Sequence, residues 1–250
     1  MSDIHTLLET LRREDDPIAQ SKLIEQLGYL RAHEAVETLI QHALRNEYQS
    51  GSAIIALGNI GDPRAIDALV VGFNQQNLAW IAKDALVKIG LPSLDALIQA
   101  LGHDNPDVRF MAIRTLGELN DPRAIGPLEK IIENDTDDTN QMQARNTLKT
   151  LLYDHLPHSD PTIRQQVIGG LEWLGDARAV DPLLTTADHD PDPEVRQAAQ
   201  HTLVHLMQRV DHDPFEAHNP SLLSRETKLL INQLRRRAVL PVDTPDNAVM

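Results

Sequence analysis

The chain has 250 residues, is 41% hydrophobic and only 3% aromatic, and carries a formal charge of −14 with no cysteine. Without cysteine there are no disulfides, no thiol nucleophile, no Cys-ligated zinc and no iron–sulfur cluster. The acidic balance argues against nucleic acid and anionic membranes as partners, because both are gripped by clustered Lys and Arg.

A core poor in rings must be built from Leu, Ile, Val and Ala, which suits helices better than strands. Residues 1–14 read as an N-terminal capping helix. They show no basic segment followed by a long apolar run, so no signal peptide is expected. No apolar stretch approaches the ~18 residues of a membrane span. A cytoplasmic protein is the expectation.

From residue 15 onward the sequence repeats. "LGNIGDPRAI" at 57–66 returns as "LGELNDPRAI" at 116–125 and as "LEWLGDARAV" at 171–180. Marker leucines fall at Leu27, Leu57, Leu86, Leu116, Leu148, Leu171 and Leu203, with spacings of 30, 29, 30, 32, 23 and 32 residues. Each unit reads as two short helices. In the fourth, Val108, Ala112, Leu116 and Leu119 share one helical face, and Ile125, Leu128, Ile131 and Ile132 share another. Between them Asp121 is a good N-cap and Pro122 suits the first helical position. Asp62-Pro63 repeats the device, and Asp176-Ala177 keeps the cap without the proline. Gly28, Gly58 and Gly117 lie inside predicted first helices, where glycine costs up to ~1 kcal/mol against alanine. Close helix–helix approach would offset that. Gly61 and Gly175 sit where a left-handed residue can end a helix.

Such a pair cannot hide its apolar stripe alone, so neighbours must stack. The expected fold is all-α: a right-handed α-solenoid of about seven short helix pairs, closed by a C-terminal capping helix. Repeats 1–5 take residues 15–156 and repeats 6–7 take 157–210. "ENDTDDTNQ" at 133–141 reads as a polar loop, and the short spacing of 23 residues that follows marks a joint. Residues 222–239 form the amphipathic capping helix, with its basic end suited to the helix dipole, and the remainder to 250 is a loose tail.

The period near 30, the motif L-G-x-[IL]-[GN]-D-P-R-A-[IV] and the starts "NPDVR" (105–109), "DPTIR" (160–164) and "DPEVR" (192–196) resemble the HEAT-like repeats of the phycobilisome (phycobilin) lyase family. The resemblance covers roughly residues 15–205. It implies a helical-repeat scaffold holding a protein partner, such as a phycobiliprotein subunit, on a concave face during phycobilisome assembly or turnover. It also implies an alternative, a bilin lyase or bilin chaperone for which a bilin is a transient ligand; no cofactor is otherwise required. No catalytic residue carries over. Deoxyhypusine hydroxylase resembles a HEAT-like dyad whose His-Glu pairs hold two irons. Here the single such pair, His33-Glu34, supplies too few ligands.

Three sets of side chains are candidates for function. Arg64, Arg123 and Arg178 in the turns, with Arg109, Arg164 and Arg196 at helix starts, are suited to propionates or phosphates. Because they recur with the repeat, a ladder with Asp62, Asp121 and Asp176 accounts for them better. His201 and His205, four apart on a helix, are weak metal candidates. The residues between them lack the glutamate of H-E-x-x-H, which favours ordinary surface histidines. Trp80 and Phe110 share a register six residues before their markers, and Tyr29 and Trp173 share another, two after. These four rings form the candidate surface for a partner or a bilin, with core filling as the simpler account. Phosphate-cradle, nucleophile-elbow and calcium-loop motifs are all missing from the sequence.

Overall fold

The computed structural model describes residues 4–212. These residues contain thirteen α-helices and no strand. In chain order they are α1 (Ile4–Arg13), α2 (Pro17–Tyr29), α3 (Val36–Leu44), α4 (Ser50–Ile60), α5 (Ile66–Val71), α6 (Ala79–Ile89) and α7 (Leu94–Ala100). Then follow α8 (Pro106–Leu119), α9 (Ile125–Asn134), α10 (Asp138–His155), α11 (Pro161–Leu174), α12 (Val180–His189) and α13 (Pro193–His212). Two compact units divide between Leu151 and Leu152, inside α10.

In the first unit, α2, α4, α6 and α8 are successive first helices, each followed by its own short second helix. All seven marker leucines are at most 1% exposed. Burying one such side chain contributes about 1.5–3 kcal/mol. The same leucines also end their helices. Backbone amides of Gly61, Asn120 and Gly175 bond back to the carbonyls of Leu57, Leu116 and Leu171. All three capping residues are left-handed, with φ of 74°, 49° and 69°. Glycine adopts that conformation freely and asparagine tolerates it.

The D-P-R-A-[IV] motif folds as a single 3₁₀ turn leading into an α-helix. Asp62 and Asp121 accept from the amides of Arg64 and Arg123 at 3.0 and 2.9 Å. Proline starts the turn, where its missing N–H costs nothing. Ala65 and Ala124 are fully buried, and Ile66 and Ile125 begin the buried face of the next helix.

The interior glycines do permit close approach. A Cβ on Gly28 would lie 2.6 Å from the Cα of Ala56, and one on Gly58 would lie 2.7 Å from the Cα of Ala85.

Three expectations need correction or completion. The segment 133–141 is not a loop. Helix α9 runs to Asn134, three residues turn, and α10 begins at Asp138. Asp137 caps that start by accepting from Thr139 and Asn140 at 2.9 and 3.0 Å, so this aspartate is a capping group. The short spacing after Leu148 arises because α10 has no second helix and gives way directly to α11. The predicted C-terminal capping helix and tail lie outside the described residues, beyond α13.

Candidate functional site

Trp80 projects from α6 and is 49% exposed, whereas Phe73 fills the core at 1%. Core filling is therefore not the role of Trp80. Phe110, one helix on and in the same register, is half-buried. Between the two rings lies Arg114, one turn after Phe110 on α8. Its guanidinium carbon is 4.9 Å from the Trp80 ring centroid and 5.9 Å from that of Phe110. Both distances are within cation–π range. The buried Nε of Arg114 has no hydrogen-bond acceptor, an uncommon state for a buried donor. The same register on α10 is occupied by Met142, 61% exposed. Three successive first helices of this unit thus present an apolar side chain at one level.

Lys83, one turn after Trp80, stands in the register that holds Ile54 and Ile113 in the neighbouring repeats and is nearly as buried as they are. Its ammonium meets Glu118 at 2.5 Å and Asp84 at 2.8 Å. Burial works against its charge, but the two carboxylates outweigh it and hold the pKa above its ordinary value.

The repeated arginines are occupied structurally, those in the turns by the expected aspartates but within one turn rather than between repeats, those at helix starts by other partners. Arg64, Arg123 and Arg178 fold back onto Asp62, Asp121 and Asp176 of their own turns. Arg64 also reaches the carbonyl of His33 in the preceding repeat at 3.0 Å. The side-chain bond from Arg64, followed by that from His33, holds Asp62 well below the usual carboxylate range. The helix-start arginines instead join the two ends of a single helix pair. Arg109 grips Asp135 with two bonds of 2.6 and 2.7 Å, and its third nitrogen bonds the carbonyls of His103 and Asp104. Arg164 repeats this on Asp190, His158 and Ser159. Arg196 bonds the carbonyls of Asp190 and Pro191.

The other candidate rings stand apart from this cluster. Tyr29 is 87% exposed at the end of α2, beside a groove of about 560 Å³ lined by Arg31, Asn59 and Lys88. Trp173 is half-buried in the second unit. There, too, the rings of His201 and His205 pack with centroids 4.2 Å apart and planes tilted by 54°. His205 is not an ordinary surface histidine. Its Nδ1 lies 2.6 Å from Oε1 of Glu172 on α11. The other oxygen of Glu172 accepts from Thr202 at 2.8 Å. Burial alone would raise the Glu172 pKa, but the bonds from Thr202 and His205 outweigh it and bring the pKa below its ordinary value.

Sequence reasoning missed Arg114 and Glu172. The signal for Arg114 was its place one turn after Phe110. For Glu172 it was a carboxylate one residue after the marker, where Gly28, Gly58 and Gly117 stand in other repeats.

A HEAT-repeat family profile matches residues 4–86, 73–149 and 140–204. The chain is 30% identical over 87 residues to "Bilin biosynthesis protein RpcF" of Synechococcus sp. (strain WH8020), a match covering 33% of this chain and 42% of that one. It therefore spans less than half of that relative. It is 27% identical over 149 residues to "Phycobilisome maturation protein" of Synechococcus elongatus, covering 59% of this chain and 67% of the relative. Among solved structures it is similar to the complex of CpcE and CpcF of phycocyanin lyase from Nostoc sp. PCC7120, at 18% identity and a TM-score of 0.41, covering 94% and 95% of the two chains. No described helix is long and apolar enough to cross a membrane.

Proposed function

We propose a function for this chain, which belongs to the HEAT-repeat family: it is a cytoplasmic scaffold that holds a phycobiliprotein subunit during phycobilisome maturation. The Trp80–Arg114–Phe110 cluster is its contact surface. The observation that carries this reading is the buried Nε–H of Arg114, held between two rings and lacking an acceptor. A donor in that setting is suited to a carboxylate attached to a flat apolar body. The setting in phycobilisome maturation is supported by the two curated relatives, whose names concern bilin biosynthesis and phycobilisome maturation.

The same donor favours a second reading, in which the ligand is the bilin itself. A bilin presents propionate carboxylates and a planar conjugated system, the two features that Arg114 and its flanking rings match. The protein would then act as a bilin lyase or chaperone, with the acceptor cysteine on the phycobiliprotein rather than on this chain, which has none.

The test uses purified full chain, phycocyanobilin and apo-phycocyanin subunits. Capture of apo-subunits without any change in bilin absorption supports the scaffold. A red-shifted or sharpened bilin band, or transfer to the subunit, supports the second reading. If neither subunit nor bilin binds, or if Arg114→Gln binds both as wild type does, the reading is wrong.

A further inference from the structure

In the second unit, the position that three other repeats give to glycine (Gly28, Gly58 and Gly117) holds a carboxylate, Glu172. On the adjacent helix α13, His201 and His205 are separated by one turn and so lie on the same side. One donor atom from each of the three residues can be chosen so that all lie within 4.8 Å of one another. A hydrogen-bonded structural network explains part of this. It accounts for Glu172, Thr202 and His205 through bonds of 2.8 and 2.6 Å. It leaves out His201, an exposed residue whose ring centroid lies 4.2 Å from that of His205 with the planes tilted by 54°. Two imidazoles that close can both ligate one ion.

We propose that Glu172, His201 and His205 bind one divalent transition-metal ion of the zinc class. The donor set is two imidazole nitrogens and one carboxylate oxygen, which zinc accepts in tetrahedral geometry with a fourth position left for water. Bonds of about 2.0–2.1 Å place neighbouring donors roughly 3.4 Å apart. The exposed His201 ring is the member free to swing inward. The short Glu172–His205 contact gives way to two bonds to the ion; a doubly protonated His205 releases one proton to solvent, and a neutral one keeps its proton on the ring nitrogen that faces away from the ion. Thr202 is a positioning residue: its hydroxyl fixes the second oxygen of Glu172, and so the orientation of the ligand. The ion would tie α11 to α13 at the place where other repeats rely on direct backbone approach. The site is independent of the Trp80 cluster, which belongs to the other unit.

The experiment titrates the full chain, freed of metal, with Zn²⁺ in competition with a chromophoric chelator, and repeats the loading with Co²⁺. The expected result is one ion per chain and an intense visible cobalt band of the four-coordinate kind. His201→Ala should weaken binding by at least about 100-fold with the helical signal unchanged, since its side chain is exposed. Thr202→Val should weaken it by about 10–100-fold, as loss of an outer-shell partner does. His189→Ala, elsewhere in the same unit, should match wild type. Absence of Zn²⁺ uptake by the wild-type chain would overturn the proposal. So would wild-type affinity in a folded His201→Ala/His205→Ala double variant, or a cobalt spectrum of the pale six-coordinate kind.

Discussion

Replacing Gly58 with alanine tests the packing on which the first unit depends. The new Cβ would lie 2.7 Å from the Cα and 2.8 Å from the Cβ of Ala85. Neither obstacle is a flexible side chain, so α4 and α6 must separate by about 0.7 Å to restore ordinary contact, an overpacking that costs about 1–3 kcal/mol. Against this, alanine is the better helix former by about 1 kcal/mol. Because both obstacles are rigid, the upper part of that range, about 2–3 kcal/mol, applies, and the expected net loss is about 1–2 kcal/mol. For a chain of this size that lowers the melting temperature by about 2–8 °C. Gly169→Ala is the contrast. That glycine lies exposed within α11 with nothing within 4 Å of its would-be Cβ, so only the propensity gain of up to about 1 kcal/mol remains. Thermal unfolding followed by far-UV circular dichroism gives both signs in one assay. Equal shifts in the same direction, or a Gly58→Ala protein as stable as wild type, would refute the close-approach argument.

Other consequences can be measured separately. Arg164→Met leaves the carboxylate of Asp190 buried without its bidentate partner, with the two side chains 7% and 6% exposed in the wild type. Breaking a buried pair from one side costs about 3–5 kcal/mol, and Arg164→Met with Asp190→Leu should recover a large part of it in urea titrations. His42 is buried at 6% exposure with Nδ1 unpartnered. Burial first, and Arg45 second, hold its pKa below the ordinary 6.5, with Glu47 opposing. Its folded-state pKa is depressed, so the unfolded chain takes up the proton more readily. Stability contributed by His42 is present above 6.5 and falls as the pH drops below it. His42→Leu should flatten the urea midpoint between neutral pH and about pH 5, and an unchanged slope would exclude this residue as the cause. Trp80→Ala with Phe110→Ala should reduce capture of apo-phycocyanin or bilin while retaining the helical signal. Unfolding of that variant would show that the rings contribute to the stability of the fold, and unchanged capture by a folded variant would refute the contact surface.

Features set by short-range chemistry were legible from the sequence. Asp62 and Asp121 announce their caps because cap, proline and arginine are adjacent in the chain. Gly61 and Gly175 announce left-handed ends in the same way. The marker leucines were legible through periodicity alone, since one buried face per helix leaves a 3.6-residue signature. Asn120 was harder to see, because asparagine adopts the left-handed conformation without advertising it. The acidic run at 133–141 misled because Asp137 looks the same in a loop and at a helix start. The partners of the helix-start arginines were missed for another reason. Arg109 and Arg164 reach carboxylates 26 residues away, and no local pattern distinguishes those from the aspartates in the turns. Glu172 and His205 are likewise 33 residues apart. Aromatic exposure depends on which flank of a helix the next repeat covers, which composition does not encode.

The arginine clamp has a dynamic consequence. Arg109 holds the turn before α8 with one nitrogen and the turn after α9 with two others. A single side chain thereby closes a ring around a whole helical hairpin. Fraying from either end of that hairpin must first break the ring, so its amides should exchange with deuterium together rather than end-first. Hairpins without such a buckle, α4–α5 among them, would loosen gradually, giving one small fold two kinds of breathing.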